Sequence, residues 1–336
     1  MMNSQLHRFI IPFLFLTNVG KIEAHGVRGG SNEDVVLLAV LEQSYKDNLA
    51  DVWDPYDRSR DVPYFWQIPK AGTTNALAYL STCMDLVKST RVGSHFIEEK
   101  ELKVVNFEGH KYMNVDTSTV DGMRRAKKLQ LEKSKLVDVV TSGYVHEIPK
   151  ELFTSEHRGR MFALFRHPID RLVSIFYYLQ TATWEPTYHP DFADMTVEDY
   201  AKSQFFEGNW MVRMIANKMK GPVTNEDLNI AKEFLRTKCL VGLQSSMNDS
   251  LDRFQRYFGW ELKDTVRNGN VLTGEVCRQR FFHPEKAGGL KMNTNKHPKI
   301  LPGSKEYNAL VEKSKLDMEL YAYAVELYGE QAEIFG

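Results

Sequence analysis

Val62-Pro63-Tyr64-Phe65-Trp66-Gln67-Ile68 leads directly into Pro69-Lys70-Ala71-Gly72-Thr73-Thr74, after which Leu77, Leu80, Met84 and Val87 recur at helical spacing. A short apolar run of this kind reads as a buried strand, with Pro63 tolerated near its start. The unit is therefore strand, tight loop, helix. At such a junction backbone N–H groups and the helix dipole converge on one point, which makes an anion site. Lys70 adds a positive charge there, and Thr73 and Thr74 add hydroxyl donors. A nucleotide triphosphatase loop would read G-x-x-x-x-G-K-[ST]. Here Lys70 precedes the single Gly72, which disfavours kinase and GTPase chemistry.

Met161-Phe162-Ala163-Leu164-Phe165 is a continuous apolar run, the mark of a central parallel strand. Arg166-His167-Pro168 follows and opens a helix: Pro suits the first turn, and Asp170 suits the positive end of the dipole. Leu172, Ile175, Phe176 and Leu179 give that helix its buried stripe. Arg166 stands at the strand tip, and Ser174 lies in the second turn, on the face it shares with Arg171. Together they can hold a phosphate through charge-assisted bonds. Alone, such arginines would more simply pair with a neighbour such as Asp170. Two anion motifs at the tips of two parallel strands favour the ligand site, because α/β sheets bind ligands there.

Working outward, Leu102–Phe107 reads as a strand, Val120–Leu131 as a helix and Leu136–Val140 as a strand ending at Thr141-Ser142-Gly143-Tyr144-Val145-His146. Helices follow over 195–203, 208–219, 224–237 and 245–258, with one strand at Cys239–Leu243 and a last helix over 304–328. Alternating strands and helices imply an α/β domain with a central, mainly parallel sheet flanked by helices and a helical C-terminal half. We read one catalytic domain over 61–330, preceded by a lead-in over 26–60 in which Val35–Leu41 begins a helix.

The chain has 336 residues, 43 Lys and Arg against 44 Asp and Glu, and a net charge of −1, which argues against a nucleic-acid binder working by bulk electrostatics. Cys83, Cys239 and Cys277 allow at most one disulfide. Neither H-E-x-x-H nor C-x-x-C occurs, so no metal is expected. Phe9–Leu16 is apolar, preceded by His7 and Arg8 and ended by Lys21 and Glu23; with Ala24 as a cleavage position, 1–25 reads as a signal peptide or signal-anchor. A glycosylation sequon stands at Asn248-Asp249-Ser250.

With these residues in view, the chain resembles the sulfotransferases that use 3′-phosphoadenosine 5′-phosphosulfate (PAPS), and most of all the membrane-associated carbohydrate sulfotransferases. Ile68–Thr74 resembles the family's 5′-phosphosulfate loop, and Arg166–Tyr178 resembles its 3′-phosphate motif. Leu316–Tyr321 resembles the closing helix, so the likeness spans about 62–329. One departure is Ala71, where many members carry Ser. The resemblance implies a three-layer P-loop-like fold, PAPS as co-substrate, a Golgi location and a carbohydrate hydroxyl as acceptor. Lys70, Ala71, Gly72, Thr73, Thr74, Arg166 and Ser174 would then bind PAPS. Lys70 and the loop N–H groups would stabilise the leaving oxygen, as in phosphoryl transfer.

The acceptor hydroxyl needs a general base. His146 is the expected one, just past a central strand; Glu147, His95, Glu98 and His110 stay open. Cys277–Lys299 carries five net positive charges, and its Asn293–Pro298 portion resembles the family's loop over the nucleotide. Trp184–Phe192 is aromatic-rich, and residues 184–201 carry five net negative charges, which weighs against a heavily sulfated acceptor there. A small alcohol, phenol or sterol is the alternative acceptor. A kinase-like nucleotide binder and a catalytically silent binding protein are the alternatives of another class.

Overall fold

The computed structural model describes residues 41–185, 187–267, 270–283, 285 and 297–335. The expected signal segment over 1–25 and nearly all of the expected Val35–Leu41 helix lie outside these residues. No helix among the described residues is long and apolar enough to cross a membrane.

A seven-stranded sheet organises the chain. Its strands are β1 (Asp61–Trp66), β2 (Lys88–Ser89), β3 (Val104–Phe107), β4 (His110–Met113), β5 (Val139–Ser142), β6 (Arg158–Phe165) and β7 (Cys239–Leu243), in the order β3-β4-β2-β5-β1-β6-β7. Every pairing is parallel except β3 with β4. The expected strand at Leu102–Phe107 is therefore real but forms one arm of an edge hairpin. Glu108 and Gly109 both have positive φ, +49° and +77°, as the tight two-residue turn between such arms requires. Sequence reading missed β2 and β4; β2 is two residues long, too short for any periodic signal.

The central strands are apolar throughout because both faces are covered. In β6, Met161, Ala163 and Phe165 join one core cluster, and Phe162 and Leu164 join the other. Strand β1 divides likewise, Tyr64 and Trp66 against Phe65, and β7 divides Cys239 and Val241 against Leu240. This is the two-residue period of a strand acting inside an all-apolar run. Helices α1 (Gln43–Asn48), α2 (Thr73–Cys83), α3 (Val120–Lys128), α4 (Glu147–Glu151) and α5 (Pro168–Leu179) alternate with these strands. Then come α6 (Val197–Lys202), α7 (Trp210–Ile215), α8 (Asn225–Lys238), α9 (Met247–Phe258), α10 (Gly274–Phe282), α11 (Lys305–Lys313) and α12 (Lys315–Glu330). α2 and α9 cover one face, α8 and α12 the other. The single expected helix over 304–328 is divided at Ser314, whose φ and ψ of −128° and 25° are not helical.

Both ends of the described chain are tied in. Leu41, Tyr45 and Leu49 are buried, so the lead-in contributes to the core. At the open edge of β7, Gln331 receives the Val241 N–H and donates to the Cys239 carbonyl, both at 2.8 Å, which closes an edge otherwise free to pair with another chain. In the sequon, Asn248 is exposed on α9 but Ser250 is buried, bonded to the backbone of Leu243.

Cys83, the last residue of α2, forms a disulfide with Cys277 of α10, 194 residues away. Cys239 is free and buried in β7. Cross-linking so long a loop restricts the unfolded chain. Replacing both Cys83 and Cys277 by Ser is expected to cost about 2–5 kcal/mol in urea unfolding; an unchanged midpoint would show the link to be dispensable.

Candidate functional site

The loop between β1 and α2 is built on two left-handed residues. Lys70 has φ +63° and Gly72 has φ +92°. Gly72 is the N-cap of α2, so the orphan N–H groups of the first turn begin at this point. The Thr73 hydroxyl donates to the Ile68 carbonyl at 3.1 Å, and the Ala71 N–H reaches the same carbonyl at 3.3 Å. These bonds fold the loop back onto the strand end. A Cβ at Gly72 would lie 2.5 Å from Met247 Cε. Ala71 is fully buried, and Lys70 is half-buried with its Nζ 4.2 Å above the Tyr178 ring. Burial and then Arg166 lower the Lys70 pKa, while Glu185 opposes them.

Arg166 begins where β6 ends, beside β1 in the sheet. Its Nη1 donates to the Lys70 carbonyl at 3.0 Å, so the β1–α2 loop and the β6–α5 junction are bonded together. Its buried Nε has no hydrogen-bond partner among the described residues. Burial lowers its pKa, with Asp170 acting the other way. Ser174 is buried on α5, and His297 stacks on Tyr177 of the same helix with ring centroids 5.6 Å apart. That places the described end of the Cys277–Lys299 segment on the Arg166 helix; residues 286–296 lie outside the described ones.

Arg171 takes a different course from the one its spacing with Ser174 suggests. It is buried and lies 3.8 Å from Asp317 of α12. Asp317 in turn accepts the first N–H groups of α7, Met211 at 3.1 Å and Val212 at 3.0 Å. Asn209 answers by accepting the N–H groups of Leu316 and Asp317. Burial raises the Asp317 pKa; Arg171 and the two N–H groups oppose it.

A cleft of about 1050 Å³, open to solvent, lies beside the loop. Pro69, Tyr144, His146 and Glu147 line one side, and Leu172, Ile175 and Leu179 of α5 line another. Phe192, Phe205 and Trp210 extend the apolar wall, while Thr187, Arg171 and Glu207 add polar groups. The structure thus brings two of the five candidate bases, His146 and Glu147, to the cleft next to the loop. His110 opens β4 and His95 stacks on Phe107 of β3, both at the far edge of the sheet; Glu98 follows His95 in the chain.

His146 Nδ1 lies 2.7 Å from Glu42 Oε2 without hydrogen-bond geometry, and its Nε2 is 3.1 Å from Lys150 Nζ. Burial and then the Lys150 ammonium push its pKa down to about 3. The Glu42 carboxylate lies beside the ring, but the imidazole is buried and shares that carboxylate with Lys150, so we take the neutral form as the resting one. Glu147 is the opposite case: burial raises its pKa. Glu207, between α6 and α7, is exposed, and partial desolvation by its surroundings raises its pKa, with Arg171 and Arg213 opposing. Sequence reading missed Glu207 and the Asp317 knot, since neither carries a local motif.

A scan against protein-family models found no match for this chain, and a search of curated proteins found none. Among the described residues no group of His, Cys, Asp and Glu is placed to hold a metal ion.

Gly72→Ala is expected to cost about 1–3 kcal/mol, because a side chain there must adopt φ near +92°. The Met247 end can swing away, so Met247→Ala should recover little of the loss in urea unfolding. Full recovery would assign the cost to the contact instead of the backbone.

Proposed function

We propose that this chain is a PAPS-dependent sulfotransferase of the P-loop-like kind, transferring a sulfuryl group to a hydroxyl of a carbohydrate acceptor. The observation that carries the reading is the bond from Arg166 to the Lys70 carbonyl, which holds two anion motifs at the tips of adjacent parallel strands. A donor with phosphates at both its 5′ and 3′ positions needs two such cradles. Lys70 with the N–H groups of Gly72, Thr73 and Thr74 would hold the 5′ side beside buried Ala71; Arg166 and Ser174 would hold the 3′ side. The unsatisfied Arg166 Nε fits that role.

In the transfer, the acceptor oxygen bonds to sulfur as the bond from sulfur to the 5′-phosphate oxygen breaks. Lys70 stabilises the charge left on that oxygen. The acceptor proton passes to a base, for which the cleft offers His146 and Glu147. Glu147 is the better of the two, since an imidazole pushed down to about 3 is a weak proton acceptor. The disulfide supports assembly in an oxidising compartment, consistent with the secretory pathway, the Golgi lumen or its membrane. The apolar wall of the cleft favours, as second reading, a small alcohol, phenol or sterol.

Calorimetry with 3′-phosphoadenosine 5′-phosphate on the full chain tests the donor site. Wild type should bind, and Arg166→Ala should weaken binding by at least ~10-fold, the loss of a charge-assisted contact, with Lys70→Ala also weaker. Absence of binding by folded wild type would sink the reading. A base must be deprotonated to work, so the rate falls as pH drops through its pKa. If Glu147 is the base, the acidic limb of kcat/KM lies above the ordinary carboxylate value; a limb near 3 would assign the step to His146.

A further inference from the structure

The cleft pairs two features that seldom occur together. Its wall is apolar and aromatic, with Trp210, Phe192 and Phe205 among its faces. Yet four of its residues carry buried polar atoms with no hydrogen-bond partner among the described residues: His146 Nδ1, Glu147 Oε2, Arg171 Nε and Thr187 Oγ1. Buried polar atoms are nearly always satisfied in folded proteins, because an unmade bond costs about 1–3 kcal/mol. His146 Nδ1 already faces the Glu42 carboxylate at 2.7 Å; the other three mark places where a ligand's own donors and acceptors belong. Aromatic faces with dispersed hydrogen-bonding atoms fit a molecule with C–H faces and hydroxyl edges, which is a sugar.

The charges narrow the class. The carboxyl groups lining the cleft are Glu147 and Glu207. Among the described lining residues the one full cation is Arg171, already engaged with Asp317 at 3.8 Å. The 184–201 segment, which supplies Thr187, Phe192 and Tyr200 to the wall, carries five net negative charges. A uronate or sulfated sugar would meet like charge on this side and no unpaired cation among the described lining residues. We propose that the cleft selects an uncharged sugar as the acceptor, with Glu207 as a specificity-determining residue that rejects anionic glycans. The inference rests on the sulfotransferase reading and deepens it by naming the acceptor class.

The test is transfer of labelled sulfate from PAPS by the full chain to two matched polymers, chondroitin and carboxyl-reduced chondroitin, which differ in the charge of every second sugar. 2-Naphthol serves as a third acceptor. Binding of 3′-phosphoadenosine 5′-phosphate is measured on the same preparations. Wild type should use the reduced polymer at least ~10-fold better than chondroitin, as one like-charge contact suffices for that ratio. Glu207→Gln should raise kcat/KM for chondroitin and narrow the preference while nucleotide affinity stays unchanged. Thr187→Val should raise KM for the reduced polymer about 2- to 10-fold with kcat unchanged, the loss of one neutral hydrogen bond. Equal or better use of chondroitin by wild type, or transfer to 2-naphthol alone, with nucleotide bound normally, overturns the acceptor assignment and leaves the donor site standing. Failure to bind the nucleotide overturns both.

Discussion

The parallel pairing of β1 with β6 is the constraint from which the rest follows. It runs in register from Asp61 opposite Arg158 to Trp66 opposite Ala163, and every residue of β1 is buried. A pair buried on both faces must be apolar along its whole length, and its strands must point the same way for helices to cover them. The loops after the two strands therefore emerge side by side. The Arg166 bond to the Lys70 carbonyl is a consequence of that adjacency, not a separate device. At the opposite end of the same pair, Arg160 lies against Asp61, with further bonds to the Asp54 and Pro55 carbonyls and the Tyr257 hydroxyl. A fully satisfied buried ion of this kind holds the strands in one register, because a slip by one residue would leave it uncompensated.

The cleft is assembled differently, from elements distant in the chain. Arg171 of α5, Asp317 of α12 and the N-terminus of α7 meet in one buried knot. That knot seats Trp210 beneath the cleft, where the Arg171 guanidinium lies 5.1 Å from its ring centroid. Cations gather on the loop side, at Lys70 and Arg166, and carboxylates on the cleft side, at Glu147 and Glu207. The disulfide adds a further link, from the end of the α2 helix to α10.

How far these features could be read from the chain depended on their range. Cys239–Leu243 agrees to the residue between sequence and structure, and β6 exceeds the expected Met161–Phe165 by three residues at its start. Both are long apolar runs between helices. The Leu102–Phe107 reading carried no partner, because hydrophobicity says nothing of strand direction, and the structure pairs its β3 antiparallel with β4. Residues β2 and β4 contribute too few side chains to show a period. At the site, Lys70, Gly72 and Arg166 were legible because strand tips and helix starts are local events. His146 was legible by position, but its enclosure by Glu42 and Lys150 was not, since Glu42 comes from the lead-in more than a hundred residues earlier.

The sequence by itself determined the strand–loop–helix units, the placing of Lys70 and Arg166 at strand tips and the mainly parallel sheet, since each is written in neighbours within one or two turns. Only the tertiary structure decided that Cys83 pairs with Cys277, that Arg171 turns inward to Asp317, and that Glu147, Thr187 and Glu207 share one cleft. Those contacts span tens to hundreds of residues. Which side chains meet at such separations depends on how the layers close over the sheet, and on the desolvation each group experiences there, neither of which a local pattern encodes.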